Sequence, residues 1–144
     1  MKNRIPILGL SVMLFACGQD TDKVVELEGE VLAIHDDVMP RMDDIMTLKS
    51  ELSKKILKMD SLQNEGVSSN TLAQERITAV DLNQKLNESD KLMMEWMHTY
   101  RGDSAKKLQP EQAILYFENE KKKIEQVKLV TLKNIDDAKA FLEH

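Results

Sequence analysis

The amino-acid sequence predicts an all-α fold: an elongated antiparallel three-helix bundle with coiled-coil-like packing. Three observations predict it. Apolar residues recur at spacings of three and four, the repeat of a buried helical stripe. Only three prolines and five glycines interrupt the 144 residues. Charged residues make up 31% and aromatic residues 4%, a balance that suits long helices better than a sandwich or a barrel.

The first helix is expected over about 24–63. Its stripe is Val24, Leu27, Val31, His35, Val38, Met42, Ile45, Leu52 and Ile56, interrupted at Lys49. Pro40 lies inside this run. It cannot donate to the carbonyl of Asp36 and its ring crowds that turn, so a kink is expected near 36–40. Asn64-Glu65-Gly66 carries stop chemistry. The second helix is expected over about 71–101, opened by Thr71-Leu72-Ala73-Gln74 as a capping box. Its stripe is Ala79, Leu82, Leu86, Ser89, Met93, Trp96 and Tyr100, and Gly102 is the expected stop. Arg101-Gly102-Asp103 spells an integrin-binding tripeptide; three residues recur by chance, and the reading is a turn. The third helix, about 109–142, places Pro110 in its first turn, where a missing N–H costs nothing. Its stripe is Ala113, Phe117, Ile124, Val127, Thr131, Ala138 and Phe141, near heptad spacing. The charged run Glu118–Lys123 reads as a solvated face. Short loops make neighbouring helices antiparallel.

The N-terminus carries an address. Lys2 and Arg4 precede an apolar stretch of 11 residues, Ile5–Phe15, too short for a helix to span a bilayer and suited to the core of a secretory signal. Leu14-Phe15-Ala16-Cys17 then resembles the bacterial lipobox, with a small residue before the cysteine that receives lipid; Phe15 is bulkier than usual there. The resemblance implies a signal peptide at 1–16, lipidation of Cys17, and a polar tether over 17–23 leading into a bundle over 24–144. Cys17 is the single cysteine, so no disulfide framework exists. Each buried methylene contributes about 0.8 kcal/mol, so several acyl chains anchor firmly. Gly18 after the cysteine, by analogy with enterobacterial sorting, implies the outer membrane of a Gram-negative envelope.

Charge narrows the partners. Removing 1–16 takes away Lys2 and Arg4 and no acids, leaving 18 basic against 25 acidic residues. Nucleic acid, which needs a basic face, is excluded as a partner. The expected partners are the membrane, through the lipid on Cys17, and another envelope protein; the oligomeric state stays open.

The residues that suggest chemistry are sulfur and imidazole donors. Six methionines fall in two clusters, Met39, Met42, Met46 and Met93, Met94, Met97, with His35 and His98 beside them. If the loop between helices one and two centres near residue 66 or 67, His35 faces His98 and Met39 faces Met94. Thioether sulfur is a soft ligand that selects Cu(I) and similar ions. The expected ligands are His35, Met39, Met42, Met94, Met97 and His98, with Cu(I) or Ag(I) as the implied ion. Asp36 or Asp37 would orient a histidine, Trp96 would cap the ion, and Met46 and Met93 would support. The competing reading is that methionine fills core gaps and packs on aromatics, leaving a structural or protein-interaction module. Glu95-Trp96-Met97-His98 has the spacing of di-iron bundles but lacks a second such motif. No phosphate loop or nucleophile elbow occurs, and no catalytic residue is expected: the domain reads as non-enzymatic.

His35-Asp36-Asp37-Val38-Met39-Pro40-Arg41-Met42 followed later by Met93-Met94-Glu95-Trp96-Met97-His98 resembles small helical lipoproteins of Bacteroidota often labelled "viral A-type inclusion protein". The resemblance implies a helical fold and an envelope location and transfers no catalytic residue.

Overall fold

A computed structural model describes residues 17–67 and 69–143. The expected signal peptide, 1–16, lies outside the described residues. The chain folds as α1 (Cys17–Val38), α2 (Arg41–Asn64), α3 (Asn70–Thr99), the short α4 (Gly102–Ala105) and α5 (Pro110–Leu142). No helix among the described residues is long and apolar enough to cross a membrane.

The result is the expected three-helix bundle, with α1 and α2 as two segments of its first arm. The break falls where Pro40 removes a donor. Met39 N still donates to His35 O at 2.9 Å, and Met42 N turns back to Met39 O at 3.1 Å. Lys121 pairs with Glu30, Lys128 with Asp37 and Lys139 with Asp44. These numbers rise together, so the first arm and α5 run parallel, with α3 antiparallel to both. The first two pairs are seven residues apart on each helix, as charges flanking a heptad seam should be. The break also redirects packing: α2 lies against both α3 and α5, whereas α1 packs chiefly on α5.

Several expectations need correction. The first helix starts at Cys17 rather than near Val24, with Asp20 in its first turn, where a carboxylate complements the helix dipole. Lys49 does not interrupt the buried stripe, because Ile45, Leu48, Leu52 and Met59 continue it around Lys49. The cap of α3 is Ser69, whose Oγ accepts from Leu72 N at 3.0 Å, two residues before the expected Thr71. Gly102 does not end α3 through a left-handed residue; Tyr100 leaves helical space at φ −62°, ψ 131°, and Gly66 alone among the described glycines has positive φ, at 86°. Glu120 is not part of a solvated face: it is 4% exposed between Phe117 and Ile124.

The core divides into two apolar clusters. One, around Val31, Val38, Met93, Trp96, Phe117 and Ile124, occupies the α1 end. The other, around Ile45, Leu52, Leu82, Leu86 and Ile135, occupies the far end. Between them on α3 and α5 lies a buried polar layer of Ser89, Thr131 and Asn134. It falls between the same two clusters as the α1–α2 break, since Val38 belongs to the first and Ile45 to the second.

Candidate metal centre

The α1 end gathers nearly all the aromatic side chains of the bundle. Ring centroids lie 5.5 Å apart for His35 and Trp96, 5.0 Å for Trp96 and Tyr100, 6.3 Å for Tyr100 and Tyr116, and 5.3 Å for Tyr116 and Phe117. The ladder runs from α1 through α3 to α5. Chain position produces it: Tyr100, the C-cap of α3, follows Trp96 by four residues, and Tyr116 and Phe117 are adjacent on α5. Ser104 and Ala105 fold back on Arg101 O to form α4. Gly102 has to be glycine here, because a Cβ would sit 2.6 Å from the Tyr100 hydroxyl oxygen.

His35 is held in one orientation. Its side chain is 20% exposed, and Nδ1 lies 3.0 Å from Asp36 Oδ1. A carboxylate at Nδ1 favours the tautomer with the proton there, which leaves the Nε2 lone pair available to an ion. Met39, one turn further along, is half-buried against the same cluster, as are Met42 and Met97. Met93 is fully buried and Trp96 is 6% exposed. Thus Met39, Met42 and Met97 pack against the cluster that holds Trp96 and Met93, and His35 meets that cluster through Trp96, with Asp36 at its Nδ1.

The remaining expected donors lie elsewhere. His35 faces Trp96 rather than His98. Met94 is 57% exposed and Met46 is 61% exposed. Met94 and the exposed His98 line a groove of about 740 Å³ along α3, with Lys91, Leu92, Glu95, Trp96, Thr99 and, from α5, Lys123 and Val127. No residue of α1 or α2 lines it. The six expected ligands therefore divide into a half-buried set of four and a surface pair. The physical reason is helical: Met93 and Met97 face the core, which puts Met94 and His98, each one residue on, about 100° away.

Polar groups around the ladder are sparsely satisfied. Trp96 Nε1, Tyr100 Oη and Glu120 Oε2 are buried without a hydrogen-bond partner. Burial pushes the Tyr100 phenol up to about 12, and the Glu28 carboxylate adds to the effect. Burial also raises Tyr116, opposed by the Arg101 backbone N–H, which donates to its oxygen. Glu120 keeps one strong partner, Lys123 Nζ at 2.7 Å. The buried stripe made Trp96 and Tyr100 legible in the sequence, but not Tyr116 or Glu120, which sits inside a charged run.

Among the described residues no three or more His, Cys, Asp or Glu side chains come together as a metal-ligand group. The donor types gathered at this end are thioether sulfur and one imidazole, and thioether sulfur favours soft monovalent ions over Zn(II), Mg(II) or Ca(II). No protein-family profile, no curated protein and no solved structure matches the chain, so the reading of this centre rests on its own residues.

Proposed function

We propose that this protein is a lipid-anchored component of the bacterial envelope, held at the outer membrane through Cys17, whose non-enzymatic bundle binds a soft monovalent ion, Cu(I) or Ag(I). The ligands are His35, Met39 and Met97, with Met42 adjacent, Trp96 as the aromatic wall and Asp36 fixing the imidazole. The observation that carries the reading is the pairing of His35 with Trp96 at 5.5 Å while Nδ1 is occupied by Asp36. A half-buried imidazole with one nitrogen committed, next to a cluster against which Met39, Met42 and Met97 pack, is a soft donor set beside a π face. The lipobox-like segment supports the anchor, and the acidic balance of the chain supports an envelope role away from nucleic acid.

Packing alone is the competing account, and Met93, fully buried, has that role. One experiment separates the two. Trp96 is the only tryptophan, so its fluorescence reports an ion beside it. Cu(I) delivered from a competing chelator to the full chain carrying Cys17→Ser, which removes a rival thiol, quenches that fluorescence stoichiometrically. His35→Ala and Met97→Leu weaken binding at least tenfold. Equal affinity in wild type and both variants leaves only packing. The anchor is tested separately: metabolic labelling with a palmitate analogue marks the wild-type chain and spares Cys17→Ala, and label on both would remove the lipid reading.

A further inference from the structure

Met94 and His98 are unused by the centre described above. They are four residues apart on α3, so their side chains stand one turn above another on the same face, with Cβ atoms about 5–6 Å apart. Both are exposed and both line the α3–α5 groove. Among the described residues the His98 imidazole makes no hydrogen bond, ion pair or ring contact, and both of its nitrogens are uncommitted. Met94 at 57% exposure contributes little to the core. Trp96, between them in sequence, lines the groove too, with its Nε1–H buried and without an acceptor.

We propose that Met94 and His98 form a second, outer site for the same class of ion, through which Cu(I) or Ag(I) reaches and leaves the half-buried centre. This rests on the soft-ion reading of that centre. Thioether plus neutral imidazole is a soft pair, and d10 monovalent ions accept two donors in a near-linear arrangement. Exposure leaves the remaining coordination positions open to a donor from solvent or a partner, which is what ligand exchange requires. The outer pair and the inner centre share one stretch of α3, because Met97 of the inner set lies between Met94 and His98. The groove's charges leave the site close to neutral: Lys91 lies 3.5 Å from Glu95, and Lys123 is paired with Glu120.

The test is native mass spectrometry of the full Cys17→Ser chain titrated with Ag(I), alongside Met94→Leu/His98→Asn and His35→Ala/Met97→Leu. Met46→Leu is the control for an exposed lone thioether. Wild type and Met46→Leu are expected to hold two ions, and each double variant one. Only the ion that survives in Met94→Leu/His98→Asn keeps quenching Trp96 in full. Release to a chelator is at least tenfold slower in that variant, because the exit is gone. An unchanged ion count in Met94→Leu/His98→Asn overturns the outer site and leaves the inner centre standing. One ion lost with Met94 and His98 but none with His35 and Met97 keeps the outer site and removes the inner one. No ion in any chain removes both.

Discussion

Asn134 sits in the polar layer between the two apolar clusters, 7% exposed. Its Nδ2 donates to Lys85 O at 3.1 Å and to Ser89 Oγ at 2.9 Å, and Ser89 Oγ donates in turn to Lys85 O at 3.2 Å. Asn134→Ala removes both of the first two bonds and leaves a small void. Two bonds at roughly 0.5–1.5 kcal/mol each make the loss about 1–3 kcal/mol. At about 4 °C per kcal/mol for a domain of this size, thermal unfolding followed by circular dichroism shifts down by roughly 4–12 °C. The double variant Ser89→Ala/Asn134→Leu has the opposite outcome. It replaces donor and acceptor together with apolar groups, which is neutral to stabilising. What it loses is specificity, because a single polar layer in a heptad-like core sets register and oligomeric state. Size-exclusion chromatography with light scattering is therefore expected to show mixed species for the double variant and one species for Asn134→Ala. A double variant destabilised as much as the single one, and still uniform in size, would refute the claim that the layer's value is register rather than net stability.

Three further outcomes follow from the same core. Thr131 Oγ1 is buried without a partner, so the isosteric Thr131→Val removes a desolvation cost and raises stability by about 1 kcal/mol in urea titration; a loss would mean the hydroxyl is bonded. Gly102→Ala forces a methyl against the Tyr100 hydroxyl, 2.6 Å away, and costs about 1–3 kcal/mol; combining it with Tyr100→Phe restores part of that loss, and no recovery would mean the strain lies elsewhere. Tyr100 titrates at about 12 because burial disfavours phenolate. Its folded value lies above the ordinary 10, so the stability it contributes is full below pH 10 and is lost as pH rises from 10 towards 12. Ultraviolet absorbance of phenolate is expected to rise late for wild type, and an ionisation near 10 for both tyrosines would contradict the burial.

The sequence by itself determined the class of the fold and most of its element boundaries. Period, composition and sparse breakers leave few alternatives to three long helices, because a helix stripe is a local repeat that needs no knowledge of its partners. Pro40 announced its own break through a missing donor. Local signals did less well where tertiary contacts compete. Leu48 and Met59 took buried positions that a stripe counted from Val24 and broken at Lys49 missed, and Glu120 was drawn between Phe117 and Ile124 inside a run that reads as solvent-facing. At the candidate centre, the residue types and the turn-by-turn spacing were legible, as was Asp36 beside His35. Only the tertiary structure decided which donors meet. Antiparallel pairing brought the two clusters to one end of the bundle, but a rotation of about 100° per residue separates Met97 from His98. That single step sets His35 against Trp96 and leaves Met94 and His98 in an open groove. Sequence spacing fixes the relative angles within each helix; the angle between helices comes from packing, and packing chose the indole.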